Sequence, residues 1–143
     1  MTPERLMLTS GDIVLAGRLE TQLAPRTVAA FVARLPFEGR LVQARWSGEA
    51  GWIPLGDTDF GVGEENTTSH PRPGQILLYP AGVSETEILI PYGETVFASK
   101  FGQLRGNHFL TIDEGLDRLE LLGHRLLWDG AQPIRFESTS LGL

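Results

Sequence analysis

The chain contains no cysteine among its 143 residues, which excludes disulfides and thiol chemistry and fits a reducing, cytoplasmic setting. It also has no run of basic residues. Its 12 Lys and Arg are scattered and outnumbered by 18 Asp and Glu, for a net charge of -6. Nucleic-acid binding needs clustered cations against phosphates, so no nucleic-acid partner is expected. No segment approaches the ~20 apolar residues that span a bilayer, and no apolar stretch follows a basic start as in a secretory leader. No membrane partner is expected either. Repeats and low-complexity tracts are missing. So are the signatures of several chemistries: no Gly-x-Ser-x-Gly elbow, and no His-x-His or His-Glu-x-x-His spacing. Gly61-Val62-Gly63 is too short for a dinucleotide fingerprint. Neither a metal nor a cofactor is expected.

What is present is an ordinary globular composition, 41% hydrophobic and 21% charged, at the length of one domain. Residues 1–143 read as a single domain, with 130–143 as a terminal extension. Arg5–Thr9 and Ile13–Glu20 read as an antiparallel hairpin around Ser10-Gly11-Asp12. Ala24–Leu35 changes period: Val28, Phe31, Val32 and Leu35 make one helical stripe, with Pro25 in the first turn and Pro36 ending it. Arg40–Trp46 reads as a strand and Trp52–Leu55 as a short returning one, placed at an edge by Pro54. Gly56–Pro73 is a long polar loop, of the kind that is often functional. Gly74–Pro80, Thr86–Pro91, Thr95–Lys100 and Asn107–Thr111 are further strands. Asp113 is a candidate N-cap for a second helix carrying Leu116, Leu119, Leu122 and Leu126, and Ile134–Phe136 has strand character. Many short strands with two helices predict a mainly β protein: a closed or nearly closed barrel capped by helices.

Some of these segments resemble a known family. Gly11–Leu15 followed by Ala24-Pro25-Arg26-Thr27-Val28-Ala29-Ala30-Phe31 is similar to the opening of cyclophilins, and Pro73–Gly82 to a segment of the minimal bacterial cyclophilin-like proteins. Arg45–Ala50, Glu65–Pro71, Ser84–Glu87 and Ser99–Thr111 resemble an uncharacterised bacterial branch of that superfamily. The resemblance implies a closed cyclophilin-like β-barrel with two capping helices. It does not extend to the isomerase machinery. Where prolyl isomerases of this type carry Phe-His-Arg, this chain has Leu41-Val42-Gln43-Ala44-Arg45-Trp46, so Arg45 alone could stand for the isomerase arginine.

Polar density is greatest in Ser99–Thr111, where Lys100, Gln103, Arg105, Asn107 and His108 surround Gly102 and Gly106. Strand alternation would give Ser99 and Lys100 opposite faces, and would turn Arg45 away from a core-facing Trp46. The expected site is one pocket made of Arg45, Trp46, Glu49, Asn66, Ser69, His70, Glu85, Glu87, Lys100, Asn107 and His108. Arg45 and Lys100 would hold an anion, Trp46 with Trp52 would supply an apolar wall, and His108 or Glu87 would act as a non-covalent base. Taken singly, each has a plainer reading as a solvated charge, a core aromatic or a hydrogen-bonded histidine. The function expected is binding of a small anionic or amide-containing metabolite, with or without acid/base catalysis. The alternatives are a degenerate prolyl isomerase or peptide binder, and a structural subunit whose long loop and edge strands make homo-oligomer contacts.

Overall fold

The computed structural model describes residues 3–139. In chain order its elements are β1 (Arg5–Ser10), β2 (Ile13–Leu19), α1 (Pro25–Val32), β3 (Phe37–Gln43), β4 (Gly48–Pro54), β5 (Thr67–Thr68), β6 (Gln75–Tyr79), β7 (Glu87–Thr95), β8 (Ala98–Ser99), β9 (Gly102–Gln103), β10 (Gly106–Glu114), a 3-10 turn (Leu116–Arg118), α2 (Leu119–Asp129) and β11 (Gln132–Ser138). Eight strands pair antiparallel in the order β2-β1-β11-β3-β4-β7-β6-β10, and β10 returns to β2 to close a barrel. The mainly β barrel with two helices is thus present as expected.

Each stave turns alternate residues inward. Leu6 and Leu8, Ile13 and Leu15, Leu41, Ile53, Ile76 and Leu78, Ile88 and Ile90, Leu110 and Ile112, and Ile134 and Phe136 share one interior core. Phe31 of α1 is fully buried in it, with its ring 5.0–5.2 Å from those of Phe37, Phe109 and Phe136. Leu119, Leu122 and Leu126 of α2 join the same core, whereas Leu116 stays exposed.

A second, smaller core lies on the opposite face of β4, β6 and β7. It comprises Ala50, Leu77, Tyr79, Leu89, Phe97 and Leu104, with Trp52 and Ala44 packed against it. β6 and β7 are therefore covered on both faces, which is why Ile76–Tyr79 and Ile88–Pro91 read as continuous apolar runs rather than as alternation.

Several boundaries differ from expectation. β3 ends at Gln43, so Ala44–Ser47 is a loop and not strand. β4 is an inner stave between β3 and β7, with Pro54 as its last residue, rather than an edge. Of Thr95–Lys100, the short strand β8 covers only Ala98–Ser99, paired with β9 in a small hairpin. Asp113 still belongs to β10, where its carboxylate takes the Arg5 guanidinium at 2.7 Å, and the helical segment starts after Gly115 at φ +85°. The segment read as a terminal extension supplies β11, hydrogen-bonded between β1 and β3; its residues 140–143 lie outside the described residues. The long polar loop is pinned to the fold. The Glu65 carboxylate accepts hydrogen bonds from the Arg26 and Thr27 amides and the Thr27 hydroxyl at the start of α1.

Candidate functional site

A cleft of about 350 Å³ opens on the second core, outside the barrel. Its walls come from three places. β3, the Ala44–Ser47 loop and β4 supply Val42, Ala44, Arg45, Trp46, Ser47 and Trp52; the connection from β6 into β7 supplies Ser84, Glu85 and Glu87; β8 and its turn supply Ala98, Ser99, Lys100 and Phe101.

Local hydrogen bonds set these walls. The Gln43 side-chain amide donates to the Ala44 and Gly48 carbonyls, spanning the loop that carries Arg45 and Trp46. Its oxygen accepts the Tyr92 hydroxyl at 2.6 Å. The Tyr92 ring lies against Gly123 of α2, where a Cβ would collide with it. Ser47 clips the hairpin to the loop: its hydroxyl donates to the Ala98 carbonyl and accepts from the Ala98 amide, both at 3.1 Å. Across the cleft, the Tyr79 hydroxyl accepts the Val83 amide and the Glu85 carboxylate accepts the Gly56 amide.

Glu87 is the unusual member. As the first residue of β7 it faces the second core, in register between Pro54 and Tyr79. It is only 6% exposed, yet no group among the described residues donates a hydrogen bond to its carboxyl. A charged carboxylate is disfavoured where most of its hydration is stripped away and no donor replaces it. Burial, with the negative charge of Glu85 adding to it, pushes the Glu87 pKa up to about 8. The group is thus a neutral acid at neutral pH, able to give or take a proton close to that pH.

The cations of the cleft are differently placed. Arg45 and Lys100 are both exposed, and neither pairs with an acidic group among the described residues. Lys100 is the chain's one lysine, and its Nζ sits 5.1 Å from the centre of the Phe101 ring. Trp46 and Phe101 are 57% and 67% exposed, so the mouth is flanked by aromatic surface that the fold leaves uncovered.

The cleft unites Arg45, Trp46, Glu85, Glu87 and Lys100 of the expected pocket and excludes the other six. Glu49 accepts the Glu94 amide and packs on Gly93. Asn66 donates to the His108 carbonyl, and Ser69 to the Leu104 carbonyl. His70 is exposed away from the cleft. Asn107 is fully buried and fully used: its oxygen accepts the Glu65 amide, and its nitrogen donates to Thr27 Oγ1 and the Gly63 carbonyl. His108 Nε2 lies 2.7 Å from Thr111 Oγ1, which donates to Glu20. Burial holds the His108 pKa below its ordinary value although Glu20 pulls the other way. His108 therefore cannot share a ligand with Glu87 in this cleft. Ser99 and Lys100 both line it, because the strand lasts only two residues and the chain then turns. Phe101 was not expected at the site; an aromatic side chain at a polar Lys-Phe-Gly turn was the signal for it.

Among the described residues, no group of three or more Asp, Glu or His is placed to hold a metal, and no helix is long and apolar enough to cross a membrane. Residues 6–138 match the family described as protein of unknown function DUF3830, and the chain belongs to that family. Among curated proteins none matches. Solved structures that share the fold include the following two. McbB in complex with tryptophan is 14% identical with a TM-score of 0.75; the match covers 94% of this chain and 44% of McbB, so this chain spans less than half of that protein. The hypothetical protein AF2241 from Archaeoglobus fulgidus is 20% identical with a TM-score of 0.61, over 96% of both chains.

Proposed function

We propose that this protein binds a small metabolite in the outer cleft, gripping an anionic group with Arg45 and Lys100 and holding a second polar group of the ligand at Glu87. One observation carries the reading: Glu87 is a largely buried carboxyl, given no donor by the fold and reached from a cleft. An unpartnered buried acid is costly to a fold, and its natural complement is a ligand group. The two uncompensated cations at the mouth of an otherwise acidic protein supply the second contact. The tryptophan complex of McbB, a barrel of the same fold, supports a small-molecule ligand. The sequence segments Ala24–Phe31 and Pro73–Gly82 support a cyclophilin-like barrel of an uncharacterised bacterial branch, working without the isomerase motif.

The test is a thermal-shift screen of small carboxylates, amides and amino acids against the native protein, Arg45→Ala and Lys100→Ala. A ligand at about 100 times its Kd stabilises the folded state by about 2.7 kcal/mol. That gain should shrink in both variants. Equal stabilisation of all three proteins would overturn the cleft as the site. Catalysed cis/trans exchange of a proline peptide would favour the isomerase alternative instead.

A further inference from the structure

We propose that Glu87 is the seat for a ligand ammonium group, so that the molecule this cleft takes carries an amine at one end and an anionic group at the other. The inference rests on the cleft being the binding site and adds the chemical class of the ligand. Glu87 is more than nine-tenths buried and makes no hydrogen bond among the described residues, so both of its oxygens are available to a ligand. An ammonium brings three donors to that acceptor. Indole and phenyl faces attract cations, and the same cleft is lined by Trp46, Trp52 and Phe101. Glu87 is the one buried ionisable group of the cleft lining; Glu85, Arg45 and Lys100 are all exposed at its rim, and the nearby Glu85 charge disfavours an anion at Glu87. Tyr79, in register beside Glu87, already uses its hydroxyl as acceptor for the Val83 amide.

An amine and an amide can now be told apart. An amide ligand would meet Glu87 as a neutral acid and leave its proton in place. An arriving ammonium would favour the carboxylate and expel that proton to the buffer, and the release would fade as the pH is raised past about 8.

Calorimetry at neutral pH with phenethylamine, phenylalanine, 3-phenylpropionate and 3-phenylpropanamide, in two buffers of different ionisation heat that are neither primary amines nor phosphate, reads this directly. The two amines should bind with release of about one proton, seen as a difference in heat between buffers. Glu87→Gln should weaken phenethylamine about tenfold or more and abolish the release, while binding of 3-phenylpropionate persists. Amine binding that releases no proton, that survives Glu87→Gln, or that only equals amide binding would overturn the ammonium seat. In those cases, 3-phenylpropionate binding that is lost in Arg45→Ala keeps the cleft as the ligand site. No binding of any probe to the folded protein would sink both.

Discussion

Glu65 is a half-buried carboxylate and Glu87 a buried one, on different parts of the molecule, and the fold treats them in opposite ways. Burial disfavours ionisation of Glu65 too, but the Thr27 amide and hydroxyl and the Arg26 amide outweigh it and hold its pKa below the ordinary value. Those donors are orphan groups at the N-terminal end of α1, so the carboxylate caps a helix from 38 residues away in sequence. Glu87 has no such donors, and its pKa moves the other way. Burial alone therefore does not mark a functional acid. What separates the two is whether the protein itself completes the hydrogen bonds.

The contrast can be broken most directly by titration. The Glu87 pKa rises from 4.5 to about 8 on folding, so the folded protein holds a proton that the unfolded chain releases. Its contribution to stability is complete below pH 4.5 and is lost as the pH rises through about 8. Denaturant unfolding across that window should show the native protein losing stability relative to Glu87→Gln by about 4 kcal/mol in total. A constant difference between the two would mean that Glu87 is hydrated or paired. Next in size is Gly123→Ala. In an ordinary helix this change stabilises by about 1 kcal/mol; here the new Cβ would run into the Tyr92 ring, and a net destabilisation of about 2 kcal/mol is expected by thermal melts.

Glu65→Ala should cost about 1–2 kcal/mol through the uncapped start of α1. Its pH dependence has the opposite sign, because a lowered pKa gives stability above the unfolded value that is lost as acid is added through the folded one. If Glu65→Ala changed ligand binding but not stability, the division between brace and site would fail. The smallest effect belongs to Tyr92→Phe. It removes the hydrogen bond to Gln43 at a cost of about 1 kcal/mol or less, and should make Trp46 easier to quench with acrylamide by loosening its loop.

The barrel was legible in the chain because period-2 strands, turn residues and one clear helical stripe are local signals. Of the expected pocket, the cleft gathers Arg45, Trp46, Glu85, Glu87 and Lys100, polar or aromatic groups carried on loops, turns and a strand end. The other six lie outside the cleft, and five of them are engaged within the fold. Asn66, Ser69 and Asn107 tie down the long loop and the β8–β9 hairpin by side-chain hydrogen bonds, Glu49 accepts the Glu94 amide, and His108 pairs with Thr111 on its own strand. A side chain that binds a ligand and one that braces a loop look alike in sequence, since both are polar groups near glycines. His70 is simply exposed. The outer location of the cleft was equally hidden. Nothing in the apolar runs of β6 and β7 says that their second face is covered by Phe97 and Leu104 rather than by another sheet.

Gln43 carries one more consequence, for the history of the family rather than for its chemistry. One arm of its amide must donate to the loop and the other must accept the Tyr92 hydroxyl, while the Tyr92 ring requires the missing Cβ of Gly123. Glutamate has no donor to give, lysine and arginine have no acceptor, and asparagine is a methylene short. Positions 43, 92 and 123 should therefore be inherited as a set. Among relatives, a chain that has lost the tyrosine should also have relaxed the glycine and the glutamine, and where all three persist the wall bearing Arg45 and Trp46 should keep its shape even if the cleft has changed its ligand.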